Sequence, residues 1–528
     1  MSEFGIIDLF AGPGGLGEGF SRFESANAAH PFKIMLSAEK EASAHATLRL
    51  RAFLRHFGSK LPPEYIDYHA GLRTRPDWSQ LYPLQWSEAE HEVQQLELGT
   101  QAAAKIVNAA IKEAQETYGD RTVVIGGPPC QAYSLVGRAR NKGIAGYRPE
   151  DDPRHFLFRE YIRVLKELRP AVFVMENVKG ILSSKVKDES ILELLMDDLA
   201  SLGGDKRLYE IVPLHCDDSQ NLLSFFEPED FIVRSELFGI PQARHRVIFL
   251  GIRRDVYDRQ KLSFPLLEQH KAQPSVADVI ATLPVLRSGL SKDLDDFANW
   301  KRTVAAQMQS VAKALERSDK ALSRYAAKVR KEFLQRNSEM VRADKSPAGL
   351  PDNCTNDLAA WIGNPSLLGT ANHESRGHMS SDLGRYFFSA IYADKYGRSP
   401  KAEDYPAALA PHHANWKSGK FADRFRVQVS GTPSSTIVSH ISKDGHYFIH
   451  PDPIQCRSLT VREAARLQTF PDDYFFEGNR TQQFVQVGNA VPPYLAVQIA
   501  KVVYALLSEH DVADTFEQSK PRQTVRVG

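Results

Sequence analysis

Short apolar runs closed by glycine or proline alternate, along the first half of the chain, with longer stretches whose apolar residues recur at helical spacing. The runs are residues 5–10, 34–38, 122–125, 170–175, 208–214 and 246–252. Rich in Ile and Val and bounded by breakers, they suit strands buried on both faces. Helical spacing covers residues 42–57, 88–118, 154–168 and, at the end, 494–507. Strands alternating with helices predict an α/β fold on a mostly parallel sheet. Residues 61–86, rich in proline and aromatics, interrupt this pattern as an insertion. From 255 to 455 the character changes: residues 262–299 are proline-spaced, 301–342 are helical and basic, and 372–440 set His, Arg, Ser and Gly between aromatics. A second, smaller domain is expected there. The chain then returns to helical pattern at 457–467, where Thr460 with Glu463 three residues on predicts a capping box. Val491-Pro492-Pro493 sets the first turn of a closing helix, and the tail from Glu509 is polar enough to fray.

Composition narrows the partners. With 528 residues there is room for two or three domains, giving 1–254 and 456–528 as two parts of one unit around 255–455. A net charge of +1 announces no partner, so a nucleic-acid binder would need a locally basic face, and 301–342 is where positive charge collects. Cys130, Cys216, Cys354 and Cys456 lie far apart without a CxxC pair, which argues against disulfides or zinc and fits a reducing compartment. No basic and apolar leader opens the chain, and no apolar run reads as long enough to cross a bilayer. A soluble, cytoplasmic protein with no membrane partner is expected.

Candidate chemistry begins at Gly126-Gly127-Pro128-Pro129-Cys130. Two prolines stiffen the loop that carries the sulfur from the end of a strand, where open α/β sheets bind ligands. A preorganised thiol and a small buried hydrophobe both remain open. The glycine turn 11–19 follows the first strand, with Glu39 at the end of the second, the place where a nucleotide-binding unit takes ribose hydroxyls. Its spacing departs from G-x-G-x-x-G, and either S-adenosylmethionine or NAD would suit it. Residues 137–152, dense in glycine and base, read as a lid beside the thiol or as a solvated charge run. Glu176 ends a strand as a general acid or as a surface carboxylate. Arg244 and Arg246 share a strand face by period two, able to meet a carboxylate, a phosphate or a base edge.

Six segments, in order, resemble the DNA (cytosine-5) methyltransferases: Asp8-Leu9-Phe10-Ala11-Gly12-Pro13-Gly14-Gly15; Gly127-Pro128-Pro129-Cys130-Gln131; Glu176-Asn177-Val178; Gln242-Ala243-Arg244-His245-Arg246; Arg462-Glu463 with residues 466–471; and Gly488-Asn489-Ala490-Val491-Pro492-Pro493. The resemblance spans about 5–253 and 430–508; the span between corresponds to that family's variable target recognition region. It implies a Rossmann-like S-adenosylmethionine-dependent domain and sequence-specific methylation of C5 on a cytosine flipped out of double-stranded DNA, through a Cys130–C6 adduct. By the same resemblance Cys130, Glu176, Arg244 and Arg246 are catalytic. Phe10, Ala11, Gly12, Gly15, Glu39, Pro129, Leu157, Asn489, Ala490 and Val491 line the pocket for S-adenosyl-L-methionine, leaving S-adenosyl-L-homocysteine as product. Gln131, Ser134, Arg138 and Arg140 meet DNA. A third acidic cofactor contact is unassigned, Asp67 being available. A monomer, and a cognate restriction endonuclease in the same system, are further implications. An RNA-methylating relative fits less well because of the long middle span, a catalytically dead DNA binder because the catalytic set is complete, and a nicotinamide oxidoreductase because it leaves the Pro-Pro-Cys segment unexplained.

Overall fold

A computed structural model describes residues 3–26, 29–129, 153–182, 185–186, 189–190, 196, 199, 207–215, 226–259, 264–411, 416 and 424–518. Among them one eight-stranded sheet dominates, formed by β1 (Phe4–Leu9), β2 (Phe32–Glu39), β3 (Val93–Gln95), β4 (Thr122–Gly126), β5 (Val172–Val178), β6 (Tyr209–Val212), β7 (Ile232–Arg234) and β8 (His245–Arg253). Strand order is β3-β2-β1-β4-β5-β8-β6, with β7 pairing β8. The first five run parallel and β8 runs against β5, β6 and β7. The fold is α/β, Rossmann-like and mostly parallel.

Period two along the strands explains the layers. Ile7, Leu9, Val124, Phe173 and Phe249 face α3 (Gln101–Tyr118) and α4 (Pro153–Leu168). Phe4, Ile6, Val123, Val174 and Ile248 face α1 (Gly15–Ser21) and α10 (Pro493–Gln518). The last helix is therefore a layer on the sheet that the first half of the chain forms. Gly19 makes this possible, since a Cβ there would stand 2.4 Å from that of Ala496.

Several elements differ from expectation. Residues 88–118 contain the expected long helix, but only in their second part: a helix ends at Glu92, β3 joins the sheet edge beside β2, and α3 begins after Thr100, whose side chain accepts from Ala103 N–H. Pairing of Val93 with Ser37 outweighs the helical spacing. The insertion forms Pro63–His69, Trp78–Leu81 and Pro83–Glu92, packed with α2 (Ala42–Arg55) through buried Phe53, Tyr65, Trp78 and Trp86. The basic stretch is two helices, α5 (Phe297–Leu315) and α6 (Lys320–Gln335), broken where Asp319 caps α6 through Leu322 N–H. Glu176 lies within β5, opposite Ile248, and not past its end. The stretch Arg480–Ser508, contrary to the sequence reading, is long and apolar enough to cross a bilayer by length and composition alone. It comprises α9 (Arg480–Asn489) and the start of α10, and 72% of its most apolar window is buried inside the protein, as in a core helix.

The middle span has its own core, where α5, α6 and α7 (Ser380–Tyr396) bury Trp300, Met308, Phe333, Phe387 and Phe388. Its two ends pack elsewhere: Val276, Ile280, Ile437 and Phe448 share a cluster with Leu467, Phe470 and Phe484. Three buried arginines order the segment around α8 (Val461–Leu467). Arg457 pairs twice with Glu463, Arg466 pairs twice with Asp472, and Arg462 donates to the carbonyls of Ala371, Pro471 and Tyr474. The capping box at Thr460 and Glu463 forms as expected.

Candidate active site

Register carries one row of residues across four parallel strands: Ala38 pairs with Leu9, Leu9 with Gly126, and Gly126 with Met175. The next residue on each strand therefore emerges at a shared carboxyl edge. These are Glu39, Phe10, Gly127 and Glu176.

On one side is the glycine turn. Phe10 and Gly12 both have φ 59°, and a Cβ on Gly12 would meet nothing within 4 Å. The Gly12 N–H donates to Glu39 Oε2 at 2.8 Å and the Glu41 N–H to Glu39 Oε1 at 2.7 Å, so the carboxylate is fixed against the turn. Burial raises the Glu39 pKa, and those backbone donors pull it partly back. Gly15 faces the C-terminal segment, where its Cβ would stand 2.2 Å from the Val491 carbonyl oxygen. Ala490 and Val491 are buried and Asn489 is exposed. Leu157 on α4 is half-buried against the sheet's α3 side. Asp67 makes no hydrogen bond or ion pair to the turn or to Glu39 among the described residues.

The other side holds Glu176. Arg246 Nε lies 2.9 Å from Glu176 Oε1, near enough for an ion pair though not aligned as a hydrogen bond, with both side chains mostly buried. Gly127 abuts it: a Cβ there would be 3.2 Å from Glu176 Oε2. Asn177 donates through Nδ2 to the Pro128 carbonyl at 3.1 Å, clamping the proline loop to β5. Pro129, half-buried, is the last described residue of that loop. Cys130, Gln131, Ser134, Arg138 and Arg140 lie outside the described residues, as does the expected lid.

Arg244 and Arg246 are not two prongs on one strand face. Arg244 falls in the break between the short strand Gln242–Ala243 and β8, is 1% exposed, and donates to the carbonyls of Ile437 and Gly488. Burial and the charge of Arg246 lower its pKa. Gln242 beside it accepts from Ile437 N–H at 2.7 Å and donates to Leu467 O and Gln468 Oε1. This pair of side chains stitches the returning chain onto the sheet, leaving Arg246 to face Glu176.

Other residues at the turn escaped the sequence reading. Arg51, buried, holds Glu18 of α1 through two hydrogen bonds of 2.9 and 2.6 Å and stands 3.1 Å from Asp473. Burial alone would lower the Arg51 pKa, but the two carboxylates raise it well above its usual value. Tyr474 donates from its hydroxyl to the Pro13 carbonyl. Asp8 is 0% exposed with both oxygens unpartnered among the described residues, and burial, then Glu39, pushes its pKa well up. Only its place ahead of the glycine turn hinted at it. No group of three or more His, Cys, Asp or Glu among the described residues could hold a metal.

The family model for C-5 cytosine-specific DNA methylase matches residues 98–505. The type II methyltransferase M.Bpa9945I of Bacillus paralicheniformis is 33% identical over 96% of this chain and 99% of its own length. M.DdeI of Desulfomicrobium norvegicum, also a type II methyltransferase, is 28% identical over 72% of this chain and 71% of its own. The crystal structure of a protein described as a DNA modification methyltransferase encoded within an E. coli prophage superposes with a TM-score of 0.50 at 18% identity, covering 96% of this chain and all of that one, a likeness of fold. With a family match across most of its length and a relative of that identity from end to end, the chain belongs to the C-5 cytosine-specific DNA methylases.

Proposed function

We propose that this enzyme methylates C5 of one cytosine within a short duplex sequence, using S-adenosyl-L-methionine, and that it serves a type II restriction-modification system by shielding host DNA from a cognate endonuclease. The reading is supported above all by the ion pair of Arg246 with Glu176, set against the Gly127-Pro128 loop that leads directly into Cys130.

The glycine turn suits an adenosyl sulfonium better than a dinucleotide. Residues 10–18 contain no base, and Glu39 and Glu41 stand beside the turn, so a pyrophosphate would meet repulsion and a cation attraction. Phe10, Ala11, Gly12, Gly15, Glu39, Pro129, Leu157, Asn489, Ala490 and Val491 are the residues proposed to hold it. When bound, S-adenosyl-L-methionine supplies an electrophilic methyl group and leaves as S-adenosyl-L-homocysteine.

Cytosine C5 is too weak a nucleophile to take that methyl unaided. The Cys130 thiolate adds its electron pair to C6, and the C5–C6 π pair becomes available at C5. C5 so enriched would take the methyl group that bound S-adenosyl-L-methionine supplies, the sulfur keeping the electron pair of the broken carbon–sulfur bond. A base or water removes the C5 proton, and loss of the S–C6 bond restores the thiolate and the aromatic ring. Glu176 meets N3 and the 4-amino group, Arg246 meets O2, and Arg244 holds the strand that carries Arg246. The target must leave the stack to reach these groups. Gln131, Ser134, Arg138 and Arg140 are the proposed contacts around the extruded base, some side chains within residues 255–455 read flanking pairs, and the enzyme acts as a monomer where the cell keeps its DNA.

The test is expression in a host without such activity, followed by bisulfite sequencing of its DNA. A short recurrent motif carrying 5-methylcytosine is expected, abolished by Cys130→Ala. Unmarked DNA with methylated transfer RNA would replace this reading with the RNA one.

A further inference from the structure

The hairpin of α5 and α6, residues 297–336, carries ten lysines and arginines against three acidic residues, in a chain whose net charge is +1. The other residues together are thus net acidic, and this is the locally basic face a nucleic-acid binder needs. On α6 the buried residues Leu322, Ala326, Val329 and Phe333 form one side, packed on α5. Lys320, Arg324, Lys328 and Lys331 are all exposed, and at 3.6 residues per turn they fall on the opposite side within about 80° of arc. Arg317, exposed just before α6, continues the line.

Helix stability does not account for this array. Spacing of three and four residues brings like charges together, which destabilises the helix where alternating signs would have stabilised it. Lys320 stands in the first turn, at the positive end of the helix dipole, with no acid in that turn to offset it. Of the three acids, Asp319 is occupied as the cap and as acceptor from Tyr396, and Glu332 stands 3.9 Å from Lys328. No ion pair engages Arg317, Lys320, Arg324 or Lys331 among the described residues. An anionic membrane is disfavoured as the partner, because the apolar side of α6 is already buried and has nothing left to insert.

We infer that this face of the hairpin grips the phosphate backbone of duplex DNA and contributes affinity without reading sequence, an inference that rests on the duplex substrate proposed above. From Lys320 to Lys331 the stripe runs about 17 Å along the helix, a length over which B-DNA presents roughly ten phosphate charges.

The experiment uses the full chain carrying Lys320→Gln, Arg324→Gln, Lys328→Gln and Lys331→Gln. A control chain carries Lys60→Gln, Lys105→Gln, Lys112→Gln and Lys166→Gln, four exposed lysines elsewhere. Dissociation constants are measured across a salt series for a duplex that the wild-type enzyme methylates and for a scrambled one. The hairpin variant should lose affinity for both duplexes alike. Its plot of log affinity against log salt should be shallower by about three to four, near one unit per lost phosphate contact. Its thermal midpoint should hold or rise, and turnover at saturating DNA and the methylated motif should not change. A slope no shallower than the control's would overturn the inference, as would a changed motif. A wild-type chain that neither binds nor methylates duplex DNA would instead remove the reading beneath it.

Discussion

Asp8 is a carboxyl group with no hydrogen-bond partner among the described residues, in the layer between the sheet and α1, and the reason its environment matters is electrostatic. Burial and Glu39 hold its pKa well above the usual carboxylate value. A group so shifted contributes stability that is complete below its unfolded value, about 3.9, and is lost as pH rises through the folded value. Asp8→Asn removes the ionisable group at nearly constant shape, so it should raise the thermal midpoint at pH 8 and raise it by less at pH 5. An equal effect at both values would mean that Asp8 is not held protonated. Nothing in the sequence distinguishes this aspartate from a ligand-binding one, because its state depends on what the fold leaves around it. The same holds for Arg244. Its spacing from Arg246 is visible in the sequence, but the break before β8, which turns it into the junction with Ile437 and Gly488, is not.

Strands and glycine turns were the legible elements. β4 and β5 are runs of Val, Ile and Phe flanked by breakers, and such runs have few alternatives to a buried sheet. β3 was not legible, since Val93–Gln95 is too short to display a period and owes its state to pairing with β2. Contacts between elements far apart in the chain were equally hidden, and the seat of the glycine turn on Val491 is the clearest of them. Because the atom a Gly15 side chain would strike is a backbone oxygen at 2.2 Å, relief requires the turn and the C-terminal segment to part. Gly15→Ala should therefore cost about 1–3 kcal/mol and weaken S-adenosyl-L-methionine binding at least tenfold by titration calorimetry, while Glu176→Gln, at a residue proposed to act on the base, should leave that binding intact. Unchanged binding in Gly15→Ala would detach the C-terminal segment from the cofactor site.

Across the whole molecule, buried histidines tie the insertion after α2 and the middle span to the segment around α8. His69 approaches the Asp472 carbonyl and His373 approaches Thr460 and the Pro284 carbonyl. Burial pushes both pKa values down to about 4. As pH falls, the unfolded chain takes up protons first, near 6.5, so stability present above that value is lost between about 6.5 and 4, at most roughly 3 kcal/mol for each histidine. Glu463 acts in the same direction at lower pH: burial would raise its pKa, but Arg457 holds it well below the carboxylate range. The thermal midpoint should thus fall steadily as pH drops below about 6.5. A level midpoint down to pH 5 would contradict these assignments. A change of character near 255 is visible in the sequence, whereas the core shared by Val276, Ile437 and Phe470 could be found only in three dimensions.

The central claim is that Cys130 bonds to C6 of the target cytosine while the methyl group is transferred. A duplex containing the methylation motif with 5-fluorocytosine at the target tests this directly, because fluorine cannot leave as the proton does and the adduct persists. With S-adenosyl-L-methionine present, denaturing mass spectrometry should find the chain joined one-to-one to the oligonucleotide plus one methyl group, the link mapping to the peptide that contains Cys130. No adduct on DNA the enzyme otherwise methylates, or an adduct that survives Cys130→Ala, would contradict the account.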